Sequence, residues 1–243
     1  VATSTLLITF CEISIIIFLT KKDKIAGEMM KFKLKYNSVK QIVYIAKLGL
    51  PGGVFGFIEA FCFGGAGLIA GLISINDVAA HQLILWSINF ALTPVFGFAV
   101  AITARIAFNA AIEKKALAFK IGIIGIISTA IYMMSCMILF YIFKYEVLGL
   151  MLKTGTEDLI TISLVASTLF MVIFVEICDG VQLMAASVLR GYKDTQIPVL
   201  FSLVSYFVFC LPLAYYFGLT KQMGVYGIWA GLGIGLFFQA FAL

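Results

Sequence analysis

Charge is what this sequence has least of. Asp, Glu, Lys and Arg make up 12% of its 243 residues against 63% hydrophobic residues, and the mean hydropathy is +1.10. A soluble domain carries roughly 25% charged residues, so a water-soluble fold is excluded: no core could hide this much apolar surface. Histidine is nearly absent, and a single His81 cannot build a metal site; it reads as a polar group satisfied at a helix start. The five cysteines, Cys11, Cys62, Cys136, Cys178 and Cys210, lie singly inside apolar runs, which argues against a zinc motif or a disulfide framework and for small hydrophobes on helices. No Walker A run, HExxH or GxSxG string occurs, so ATP-driven transport within this chain and intramembrane hydrolysis have no support, and no enzyme is expected. Strict alternation over segments of about 10 residues is missing too, which sets aside transmembrane β-strands. The chain opens on Val1 without a basic leader, so residues 1–20 are not read as a signal peptide and the sequence is expected to be part of something longer.

What is present is a series of apolar runs, each near the ~20 residues needed to cross a bilayer as a helix. Residues 1–20 read as the end of one span and residues 21–47 as a lysine-rich surface linker with an amphipathic portion. Spans are then expected at 48–75, 78–104, 116–143, 159–189 and 197–217, with a last one at 225–243 running off the end. The fold class is therefore all-α and polytopic, with about seven transmembrane helices. Distributing the connecting charges on alternate sides puts fourteen Lys and Arg residues on one face and only Lys144, Lys153 and Lys221 on the other. By the positive-inside rule the basic face is cytoplasmic. Basic residues confined to such loops explain the net charge of +5 without nucleic acid as a partner.

Acids inside these runs need a reason, since a charged side chain at mid-bilayer costs at least ~2.5–3.5 kcal/mol on insertion scales. Glu59 stands near the middle of 48–75, placed to bind a cation or a proton and exchange it for substrate; the plainer alternative is a structural, hydrogen-bonded Glu. Glu176 and Asp179 are spaced i and i+3 on one helix face, and Gln182 extends the stripe by another three. Such a face can offer an oxygen-rich pocket to Na⁺, or couple so that one acid keeps its proton; alternatively Asp179 merely pairs with Arg190 or Lys193. Glu12 is a weaker candidate, in a span of uncertain depth. Phe63, one turn beyond Glu59, is a candidate for cation–π contact with an aromatic cation. Pro94 is interior enough to bend its helix during gating, whereas Pro51 and Pro198 read as helix starters. The glycines Gly64, Gly65, Gly67 and Gly71, and again Gly227, Gly231, Gly233 and Gly235, read as close helix packing.

Particular strings then resemble one family. Leu48-Gly49-Leu50-Pro51-Gly52 with Glu59 downstream, Ala79-Ala80-His81-Gln82, Cys178-Asp179-Gly180-Val181-Gln182, Leu189-Arg190-Gly191-Tyr192-Lys193-Asp194-Thr195 and Gly224-Val225-Tyr226-Gly227-Ile228-Trp229 are similar, in this order, to the MATE (multidrug and toxic compound extrusion) exporters, the NorM-like branch in particular. The resemblance implies twelve spans in two six-helix lobes. Residues 1–20 would be the last helix of the N-terminal lobe, 21–47 the cytoplasmic linker and 48–243 most of the C-terminal lobe, with the N-terminal lobe of the same full-length chain as partner. It also implies Glu59 and Asp179, perhaps with Glu176, as the cation-coupling site, with Na⁺ or H⁺ as coupling ion and no other cofactor. Cationic drugs would meet Glu59, Asp179, Phe63 and Gln182 in one shared chamber, within a cytoplasmic (inner) membrane whose lipids surround the helices. A flippase for lipid-linked sugars, of related two-lobe architecture, is the nearest rival, but it would be expected to place basic residues at the centre.

Overall fold

The computed structural model describes residues 10–11, 13–18, 38–151 and 156–243. The chain divides into two compact units, Val1–Ala46 and Lys47–Leu243. In the first, residues 10–11, 13–18 and 38–46 are helical; Glu12, residues 21–37 and Lys153 lie outside the described residues. The second holds everything that follows.

The long helices are α1 (Ser38–Gly71), α2 (Ile75–Ala111), α3 (Lys115–Ile142), the eight-residue α4 (Lys144–Met151), α5 (Thr156–Gly191), α6 (Gln196–Thr220) and α7 (Gly224–Ala242). No strand occurs among the described residues. Six of these helices, all but α4, are long and apolar enough to cross a membrane. Turns of three or four residues, 72–74, 112–114, 192–195 and 221–223, join most neighbours, so successive helices run antiparallel. Several turns close on left-handed residues, Glu113 (φ 62°), Lys193 (φ 66°) and Gln222 (φ 54°).

Two expectations are corrected by these bounds. Helix α1 begins at Ser38, ten residues before the expected start at Leu48, because the stretch after Ser38 contains no helix breaker and is apolar enough to propagate. Pro51 consequently lies inside α1 and starts nothing; a membrane helix tolerates it because neighbouring groups can satisfy the freed carbonyl. Pro198 is the third residue of α6, as a helix starter should be, and Pro94 lies deep inside α2.

Helix α5 is the hub, packed along α2, α3 and α7, while α7 runs along α6. The buried cluster joins Ile84 and Ile88 of α2, Met133 and Met137 of α3, Leu169 and Val172 of α5 and Trp229 and Leu232 of α7. Outward faces are also apolar: Phe90, Phe170 and Phe241 are 85%, 78% and 86% exposed. Such surfaces suit a hydrocarbon surrounding, where close packing replaces the hydrophobic effect as the force between helices.

The α6–α7 seam shows that packing best. Helix α6 contains two π-helical stretches, Ser205–Cys210 and Tyr216–Thr220, and each turn of that kind pushes backbone outwards. Gly227 and Gly235 face these stretches and Gly231 the turn between them: a Cβ on Gly227 would come 2.6 Å from the Phe217 carbonyl, and one on Gly231 2.7 Å from Ala214 Cα. The Ser205 hydroxyl donates to the Gly235 carbonyl at 2.6 Å, across the same seam. At the other end of α7, Asp77 of α2 accepts from Val225 N at 2.8 Å and from the Ser74 hydroxyl at 2.6 Å, clasping two turns together.

Candidate cation and substrate site

The acids are delivered by two helices. On α1, Glu59 is half-buried and borders a cavity of about 540 Å³ between α1, α2 and α5. Gly52, Phe55, Ala99, Thr103, Ser187 and Arg190 are among its other lining residues. Thr103 donates to the Ser187 carbonyl at 2.8 Å and so fixes α2 against α5 at the cavity wall. Arg190 donates to the Ser187 hydroxyl at 2.5 Å, and its guanidinium carbon lies 5.7 Å from the centre of the Phe55 ring. Glu59 and Arg190 are the charged side chains of this cavity and act on each other electrostatically. One acid and one base in a largely apolar hollow form a polarised chamber of drug-sized volume.

On α5, Glu176 and Asp179 are almost wholly buried, at 0% and 1% exposure. The i, i+3 spacing puts them on one face, and they act electrostatically on each other and, from α5, on Glu59 of α1. Neither borders the cavity that Glu59 lines. Both Glu176 oxygens and Asp179 Oδ2 lack a hydrogen-bond partner among the described residues, as does the hydroxyl of buried Tyr206 on the π-helical stretch of α6. A buried polar atom without a partner costs about 1–3 kcal/mol, so several in one region mark a place shaped for something more than packing.

Asp179 Oδ1 is engaged. It accepts from Gln182 Nε2 at 2.9 Å; Gln182 Oε1 accepts from Gln239 Nε2 of α7 at 3.0 Å; that nitrogen also donates to the Ser202 hydroxyl of α6 at 3.0 Å. Ser202 in turn donates to the Pro198 carbonyl at 2.7 Å. A polar chain thus runs from the acid on α5 through α7 to α6, every side chain in it at most 1% exposed.

The expectation of one shared chamber is therefore corrected. Glu59 reaches the open cavity, while Asp179, Glu176 and Gln182 lie in a closed polar core beside it. Nor does Asp179 pair with Arg190 or Lys193: its hydrogen bond goes to Gln182, and that of Arg190 to Ser187. Phe63 does not border the cavity either. Its ring packs 6.2 Å from that of Trp229, and its carbonyl lies 3.2 Å from His81 Nε2; the aromatic residues on the cavity wall are Phe55, one turn before Glu59, and Phe96 of α2. His81 is fully buried beside Trp229, with Nδ1 unpartnered among the described residues. Pro94 is exposed and does not line the cavity, which its helix borders from Phe96 onward. Sequence reasoning missed Gln239, Ser202 and Tyr206. Gln239 did carry a signal, as the one amide in the apolar run of α7.

Comparison with known proteins points one way. The MatE family profile matches residues 51–216. The chain is 32% identical over 198 residues to the probable multidrug resistance protein NorM of Pseudomonas putida, covering 81% of this chain and 43% of that protein. To the probable NorM of Bacillus cereus it is 29% identical over 232 residues, covering 94% and 49%. The chain thus spans about half the length of the curated relatives it matches. Among solved structures, the eukaryotic MATE transporter AtDTX14 superposes with a TM-score of 0.81 at 16% identity, covering 92% of this chain and 50% of that one. A MOP superfamily transporter from Pyrococcus furiosus, described as having a binding pocket of reverse polarity, superposes with a TM-score of 0.74 at 18% identity, covering 87% and 46%.

Proposed function

The chain belongs to the MATE family and is an integral membrane protein of its NorM-like branch, and from that premise we propose that it forms most of the C-terminal lobe of a cation-coupled antiporter that exports organic cations and drugs. The observation that carries the reading is the adjacency of an open, acid-bearing cavity to a closed core with two further acids. The cavity has the volume for a drug, and Glu59 meets its positive charge. In the core, the buried carboxylate oxygens of Asp179 and Glu176 suit a bare ion, Na⁺ or H⁺. Because Glu59 feels the core acids across a medium of low dielectric, a cation bound in the core weakens the pull of the cavity on a cationic guest. Each therefore lowers the affinity of the other, and that negative coupling is what exchange requires.

The remaining parts follow the family pattern. Residues 1–20 end an N-terminal lobe, the stretch before the start of α1 at Ser38 is a cytoplasmic linker, and the helices from α1 onward rock against that lobe to give alternating access. The basic turns face the cytoplasm, the membrane is the inner one, and Pro94 supplies a flexible point in α2. A lipid-linked-sugar flippase shares the fold class, and a shared fold does not fix the polarity of a pocket. Arg190 is the single feature here that such a substrate would want; three acids against one base favour a cationic guest.

The experiment is efflux of a cationic dye from cells expressing the full-length protein with Glu59→Gln or Asp179→Asn. The first is expected to weaken drug handling and the second to abolish dependence on the ion gradient. Normal, gradient-dependent efflux in both variants overturns the proposal.

A further inference from the structure

We infer that Gln239, anchored by Ser202, is a positioning residue that decides which oxygen of Asp179 is left for the coupling cation. The inference rests on the exchange reading above.

The direction of the polar chain is set at its far end. The Pro198 carbonyl can only accept, so the Ser202 hydroxyl spends its hydrogen there, at 2.7 Å. Toward Gln239, 3.0 Å away, Ser202 can then only accept, and Gln239 must turn its NH₂ group to the serine. The second hydrogen of that NH₂ reaches Gln182 at 3.0 Å, so Gln182 must present its oxygen to Gln239 and its own NH₂ to Asp179. An amide has two nearly isosteric orientations; here a helix carbonyl three bonds away selects one. As a result Asp179 Oδ1 accepts from Gln182, and a cation that came to it would share that oxygen with the hydrogen bond. Oδ2, buried and without a partner among the described residues, is left for the guest, on the helix face that also bears the two Glu176 oxygens. Because Gln239 belongs to α7 and Ser202 to α6, the Gln182 amide that holds the carboxylate on α5 is itself oriented by two other helices, and a relative shift of those helices would free that amide to turn.

Full-length protein in vesicles tests this, with dye efflux measured against Na⁺ at fixed pH and against pH at fixed Na⁺. Gln239→Met keeps the length and removes the donor, leaving Gln182 free to turn its oxygen toward Asp179. The half-saturating concentration of the coupling cation is expected to rise about five- to tenfold, as befits a misplaced hydrogen bond to a charged group, while that of the dye stays within about twofold. Since Gln239 acts through Gln182, the Gln182→Met/Gln239→Met double variant is expected to match Gln182→Met alone. A Gln239→Met protein with unchanged cation dependence, or a full multiplication of the two single effects, overturns the inference. If Gln239→Met yields no folded protein, Ser202→Ala replaces it: a two- to threefold rise in cation requirement is expected, and none overturns the inference. Wild-type efflux indifferent to both gradients removes the exchange reading and this inference with it; a cation-dependent wild type with an insensitive variant removes this inference alone.

Discussion

Two glycines distinguish the two halves of the candidate site. Gly56 borders the open cavity, and a Cβ built on it meets nothing within 4 Å. Gly231 lies in the α6–α7 seam, where the same atom would come 2.7 Å from the Cα of Ala214. One glycine keeps space empty and the other lets two backbones touch. The same sequence device therefore serves opposite ends: volume for a guest beside Glu59, and a rigid, sealed wall of α6 and α7 behind Asp179. Polar groups sort accordingly. In the cavity Arg190 and Glu59 stand on opposite helices with room between, whereas in the core Gln182, Gln239 and Ser202 consume one another's hydrogen-bonding capacity.

The most damaging way to break this contrast is to give the seam a side chain. Gly231→Val is expected to destabilise by at least ~3 kcal/mol, since backbone on the facing helix cannot yield as a flexible side chain would. The check is loss of monodisperse protein on detergent extraction and a lowered melting temperature. Normal extraction and transport would mean that the seam is looser than its geometry. The complementary change, Gly56→Phe, fills the cavity without touching the wall. Its fold is expected to be at least as stable, because glycine inside a helix is unfavourable by about 1 kcal/mol. The drug concentration for half-maximal efflux should rise about tenfold as the ring occupies guest volume, with cation dependence unchanged. A shift in cation dependence of the same size would merge cavity and core into one site.

Reading the sequence before the fold recovers one half better than the other. Glu59, Glu176 and Asp179 stand out because ionisable groups are rare in apolar runs, and the i, i+3 spacing already places the last two on one face. What the spacing does not contain is depth. It assigns Glu59 and Asp179 to a common chamber, yet the rotation of α1 against α5, set by the buried cluster that includes Ile58, Cys62 and Val175, opens one acid and encloses the other. Phe63 fails for the same reason: lying one turn beyond Glu59 says nothing about Trp229, which arrives from α7 and claims the ring. Gln239 and Ser202 are legible only as polar residues in apolar helices, because their meaning lies in contacts 37 and 57 residues apart in sequence. Helix α1 starts earlier than its lysines suggest for a chemical reason: a long side chain can remain helical and carry its charge away from the apolar surface.

The gentlest test concerns Arg190. Its guanidinium shares the cavity with Glu59, rests over the Phe55 ring and is held by Ser187, so it is fixed in place and cannot swing out to solvent freely. With both charges present the cavity is close to neutral, and a monovalent cation is attracted by Glu59 but repelled by its neighbour. Arg190→Gln removes the repulsion, keeps a donor for Ser187 and leaves Glu59 unopposed. Half-saturation for a monocationic dye is expected to fall about threefold at low salt, the size of a single partly exposed charge interaction. The gain should shrink above ~0.15 M salt, where the screening length falls below about 8 Å. The closed core should not register the change in the same way: cation half-saturation is expected to move less than that of the dye, because Asp179 lies behind Glu59 and is held by Gln182. If the dye requirement rises instead, Arg190 is serving the guest directly, and the cavity is built for a ligand bearing both charges.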